Sequence, residues 1–132
     1  MPSPVAVIAD LRSELVNRTC TPNADLIARV SQLLVDDTFK KTWLYTIARR
    51  RPLAAALLWT RIADKLSGPA RLEALALAAT FSFNGGNTAI AARLIAAADV
   101  TARRYTGVAY PHTLTILKLD QAIRAELGYS HA

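Results

Sequence analysis

Two alanine-rich apolar arms joined by Asn84-Gly85-Gly86-Asn87 fill the stretch from Arg71 to Ala98 (RLEALALAATFSFNGGNTAIAARLIAAA), and they leave the chain little choice of fold. In the first arm Leu72, Leu75, Ala79 and Ser82 fall along one side of a helix, with Ala74, Leu77, Ala78 and Phe81 beside them. Apolar residues therefore cover most of the circumference between Ala74 and Phe83, the pattern of a helix packed on more than one face. The run is far short of the roughly 20 residues that cross a bilayer, so it reads as a buried helix. Pro69 suits a first helical position, where its missing N–H costs nothing. The paired glycines are expected to take the φ > 0 positions that end one helix and start the return. Asn87 or Thr88 then caps the second arm. There Ala89, Ala91, Ala92, Ala96, Ala97 and Ala98 permit close approach, while Ile90, Leu94 and Ile95 supply volume.

The flanking segments are helical by the same periodicity. Val5 to Asn17 carries Val5, Ile8, Ala9, Leu11, Leu15 and Val16, and a break follows at Thr19 to Asn23. Asn23 or Thr21 starts a second helix with Leu26, Ile27, Val30, Leu33 and Leu34 in its stripe. After Asp36-Asp37-Thr38, a turn and cap, Phe39 to Arg49 sets Phe39, Trp43 and Ile47 on one face with Leu44 and Ala48 beside it. Arg49-Arg50-Arg51-Pro52 closes that helix. Leu53 to Leu66 follows, with Leu57, Leu58, Ile62 and Leu66 inward and Trp59 on the flank. Thr101 to Gly107 is a short helical turn. Tyr110-Pro111 opens a last helix with Leu114, Leu117, Ile123 and Leu127 inward, ending at Gly128. No period-2 strand pattern is present. The expectation is an all-α fold: a compact bundle of about six to seven helices built on antiparallel hairpins, one domain over 1–132, with 1–4 and 129–132 flexible.

The residues Gly86-Asn87, Ala91, Ile95 and Ala98 follow the second-helix spacing of a tetratricopeptide-like repeat, in which small residues sit at the closest helix contact. The larger pattern of Trp59, Arg71, Glu73, Ala74, Leu75, Gly86-Asn87 and Ala91 resembles the C-terminal helical part of the actinobacterial proteins grouped as domain of unknown function 4192. The similarity spans roughly Phe39 to Ala98. That family shows Gly-Asp-Gly at the turn, where this chain has Gly86-Asn87-Thr88, and its N-terminal α/β portion has no counterpart here. The resemblance brings no catalytic residues with it.

Charge is unevenly placed along a chain of formal charge +6. Residues 1–39 hold three basic and five acidic side chains, whereas Lys40 to Arg71 holds eight basic ones against Asp64 alone, a net of +7. Such a concentration attracts phosphates or an acidic partner. A hydrophobic content of 52% argues for a folded chain rather than a disordered one. The start, Met1-Pro2-Ser3-Pro4, lacks the charged and apolar regions of a secretory leader. The single cysteine, Cys20, agrees with a reducing cytoplasm. The abundance of alanine and arginine over lysine suggests a bacterial or phage source of high GC content.

Catalytic chemistry finds little to stand on. Cys20, His112 and His131 are scattered without ligand spacing, so neither a metal nor another cofactor is expected. No nucleophile stands with a base and an acid. Gly85-Gly86 follows a helix and lacks the lysine and spacing of a phosphate loop. Ile62 to Gly68 imitates the start of a helix-turn-helix, but the helix behind it is too apolar to read a DNA groove. The expectation is a non-catalytic, cytoplasmic helical module that binds another protein or a second copy of itself, with no membrane partner. Trp43, Tyr45, Trp59, Tyr105 and Tyr110 are its candidate contact residues. The alternative is an accessory nucleic-acid-binding protein using the basic segment 40–71, above all Lys40, Lys41, Arg49, Arg50 and Arg51.

Overall fold

Asparagine, proline and glycine set the helix boundaries in the computed structural model of the chain, which describes residues 3–16, 22–36 and 42–104 together with positions 121, 122 and 125. Among the described residues the architecture is a compact all-α bundle of six helices without a strand: α1 (Pro4–Val16), α2 (Ala24–Leu34), α3 (Thr42–Ala48), α4 (Pro52–Asp64), α5 (Gly68–Asn84) and α6 (Thr88–Arg103). Asn23 caps α2, its Oδ1 accepting from the Leu26 N–H at 2.8 Å. Asn87 does the same for α6, accepting from Ile90 at 3.3 Å. Pro52 and Pro69 each stand in the first two positions of α4 and α5. The proposed last helix, Phe39 at the start of α3, and the tail 129–132 lie outside the described residues, whereas Pro4, expected in a flexible lead, opens α1.

α5 is the axis. Twelve of its 17 residues are buried, from Gly68 round to Ser82, because α4 and α6 pack against different sides of it and α2 reaches it from a third. α1 rests on α2, α3 and α4. Arg29 clasps α2 to α1, donating to Asp10 at 2.6 Å and to Asp25 on its own helix at 3.0 Å. Arg71 turns back to donate to the Ala63 carbonyl at 2.9 Å, joining the Leu66 N–H that reaches the same oxygen at 3.1 Å at the end of α4.

The two glycines of the central turn do different work. Only Gly86 takes a positive φ, +86°, while Gly85 sits at −84°. The Asn87 N–H donates to the Ser82 carbonyl and the Gly86 N–H to that of Phe83, the bond pattern of a Schellman motif. Gly85 makes room for Leu53: a Cβ there would lie 2.5 Å from Leu53 Cδ2, 2.8 Å from Leu53 Cγ and 3.3 Å from the Phe81 carbonyl oxygen, so the half-exposed leucine would have to move. A Cβ at Gly86 would meet nothing, so Gly86→Ala isolates the conformational term. It is expected to lower stability by about 1 kcal/mol, read as a shifted urea midpoint at constant slope.

Several side chains depart from the faces their spacing suggests. In α1 the buried set is Val7, Leu11 and Leu15, while Val5 and Val16 face solvent. In α3 Leu44 and Ala48 are inward and Trp43 is outward. In α4 the stripe is Ala55, Ala56, Leu58, Trp59, Ile62 and Ala63. Trp59 is 2% exposed, so it belongs to the core and not to a contact surface, and Leu57, expected inside, is 44% exposed.

Candidate functional site

The short helix α3 has an open cleft on either side, and these two hollows hold most of the described residues singled out from sequence. On one side, a hollow of about 440 Å³ lies between α3, the start of α4 and the end of α5. Tyr45 and Phe81 form its aromatic wall, rings 5.5 Å apart and inclined by 69° in an edge-to-face pair. Tyr45 is half-buried. Burial pushes its phenol up from the ordinary tyrosine range, a hydrogen bond with Thr80 pulls the other way, and the negative charge of Glu73 adds to the rise. A neutral hydroxyl is the form this wall presents.

On the other side, a cleft of about 500 Å³ opens between the end of α1 and the corner joining α3 to α4. Four guanidinium groups line it: Arg49, Arg50 and Arg51 from the corner, and Arg12 from α1. Leu15, Val16 and Ile47 supply the apolar lining, and no carboxylate contributes among the described residues. Arg51 is partly committed, donating from Nη1 to the Leu15 carbonyl at 3.5 Å, where it tends the C-terminal end of α1. Arg12, Arg49 and Arg50 are exposed, and none is paired with a carboxylate among the described residues. Arg49 and Thr46 line both hollows, so α3 forms a ridge between them.

The basic segment is therefore not one patch. Arg49 to Arg51 sit before α4, whereas Arg61, Lys65 and Arg71 lie at its far end, about 20 Å away along a 13-residue helix. Lys40, Lys41, Tyr105 and Tyr110 lie outside the described residues, as do Cys20, His112 and His131. Sequence reading missed Arg12, which stands in the acidic first third of the chain. Nothing in its neighbours marks it, because only the packing of α1 on α3 and α4 delivers it to the cleft.

Trp43 is 45% exposed. It precedes Ile47, a lining residue of the arginine cleft, by one turn of α3, although Trp43 itself is outside that lining. Elsewhere, Leu53 and Leu57 leave an apolar strip on the outer side of α4, 51% and 44% exposed. Among the described residues no group of three or more His, Cys, Asp or Glu side chains is placed to hold a metal ion. None of the helices described is long and apolar enough to cross a membrane.

Fold and clefts together define an all-α bundle with open, arginine-rich and aromatic hollows. No known protein family, curated protein or solved structure matches the chain.

Proposed function

We propose that this chain is a non-catalytic helical module that works by binding another protein or a second copy of itself. The observation that carries the reading is the apolar strip of Leu53 and Leu57 on α4, left uncovered although the α5 side of the same helix is densely packed. Leucines exposed one turn apart on a rigid helix suit the groove or helix of a partner. Among the described residues the lining of both hollows is aromatic, apolar and arginine-rich, a surface suited to binding. The same proposal places the protein in the cytoplasm of an actinobacterium or its phage, related to the helical part of the domain of unknown function 4192 family.

Sedimentation velocity over a range of concentrations tests self-association. A reversible dimer is expected, converted to monomer by Leu57→Lys with helicity unchanged. A wild-type chain that stays monomeric and captures no Leu57-dependent partner from its host's extract would sink the reading. A second reading, an accessory nucleic-acid-binding protein using segment 40–71, draws support from the exposure of Arg49, Arg50 and Arg51 at one corner.

A further inference from the structure

We propose that a single-stranded nucleic acid lies along the α1-facing side of α3, its phosphates held by Arg12, Arg49 and Arg50 and one unpaired base stacked on Trp43. The proposal rests on the second reading above and gives it a site. Three cationic side chains without carboxylate partners face one cleft, and one of them, Arg12, comes from a segment of opposite net charge. An isolated surface arginine is ordinary, but convergence from two elements, with no acid among the described residues of the lining, concentrates positive charge there.

The aromatic neighbour selects the type of anion. Trp43, 45% exposed, stands one helical turn before Ile47, which lines the cleft, so its indole is at the edge of the arginine hollow by helical spacing. Single strands are held by a cationic groove that tracks the backbone together with aromatic rings on which bases stack. A duplex hides its base faces, so it would use the arginines and leave the indole idle. An acidic peptide would use the charge but presents a π-face only where it carries an aromatic side chain, whereas every base of a single strand has one. Leu15 and Ile47, apolar and beside the arginines, lie where the sugar edge would pass.

The chain has two tryptophans, and the other, Trp59, is buried, so quenching of the exposed one reports stacking directly. The probe is an oligothymidylate or oligouridylate of about 12 nucleotides, within the range one small module covers. Saturable quenching is expected at low salt with either sugar, and its affinity should fall with added salt at a log–log slope of about −2 for three phosphate contacts. Arg12→Ala and Arg50→Ala should each weaken binding and flatten that slope by about 0.7. Trp43→Ala should weaken binding about tenfold, whereas Trp43→Phe should keep it by anisotropy while abolishing the quench.

Far-UV circular dichroism identifies any variant that fails to fold, and the exposed position of Arg12 makes it the safest of the set. Absence of binding at low salt overturns both the site and the second reading. Binding lost when Arg49, Arg50 and Arg51 become Ala but untouched in Arg12→Ala and Trp43→Ala overturns the site and spares that reading. Tighter binding of a duplex, or displacement of the oligonucleotide by polyglutamate at equal charge, also overturns it, the latter by moving the cleft to an acidic protein partner.

Discussion

Replacement of Trp59 by alanine is expected to remove about 3–5 kcal/mol of folding stability. The side chain is the largest of those fully enclosed in the bundle. It stands in α4 among Ala55, Ala56, Ile62 and Ala63, where small neighbours leave room for one bulky ring. Truncation would open a cavity that those alanines are too short to fill, and the lining would lose dispersion contacts as well as burial. For a chain of this length the midpoint of thermal unfolding should drop by roughly 10–20 °C. Trp59→Phe, which keeps most of the volume, should cost much less. Thermal melts followed by far-UV circular dichroism check both. A loss below about 1 kcal/mol for the alanine variant would mean that the residue is not a core anchor.

That residue also shows where the sequence ceases to be informative. α4 is apolar nearly all the way round, with Leu53, Leu57, Leu58, Trp59 and Ile62 within ten positions. Helical period alone then accepts two stripes, one centred on Leu57 and one on Trp59. The decision comes from the partner: α5 offers a surface rich in alanine, and the stripe that combines Ala55, Ala56 and Ala63 with one large ring fits it. α1 repeats the ambiguity, since Val5, Val7, Ile8, Leu11, Leu15 and Val16 admit more than one face and the fold uses Val7, Leu11 and Leu15. By contrast α2, with a single stripe and a polar remainder, buries Leu26, Val30, Leu33 and Leu34 as its spacing implies. Turn chemistry was legible wherever one residue type has one local use, as with Asn23, Pro69, Gly86 and Asn87. The steric role of Gly85 was not, because it depends on Leu53, which is distant in sequence and adjacent only after α4 and α5 pair.

The candidate sites divide in the same manner. A run such as Arg49-Arg50-Arg51 announces itself, and the Pro52 behind it fixes the run at a helix junction. Arg12 carries no such mark, and the field it joins exists only once α1 crosses α3. The aromatic residues that looked alike in sequence separate by burial: Trp59 inside, Tyr45 half-buried against Phe81, Trp43 open. Composition could supply their number but not that ordering.

Enlarging both Ala91 and Ala98 to leucine is expected to destabilise the bundle by about 2–6 kcal/mol, at about 1–3 kcal/mol for each site. Both are fully buried on α6, as are Ala74 and Ala78 on the facing α5. Methyl groups at such positions let helix axes approach closely, and a longer side chain must either leave its preferred rotamer or push the helices apart. The two positions are seven residues apart, about 10 Å along the helix, so their effects should add with little coupling. The seven alanines of α6 make an internal control, for they are not equivalent: Ala91 and Ala98 are buried, Ala92, Ala97 and Ala102 half-buried, Ala89 and Ala96 exposed. Ala96→Leu should therefore change stability by no more than about 0.5 kcal/mol. Urea unfolding of the three variants measures the contrast. If Ala96→Leu proved as harmful as either buried replacement, alanine on α6 would be serving helix propensity alone. The close packing of α6 on α5, and with it the basis for reading the fold from residues 71–98, would have to be given up.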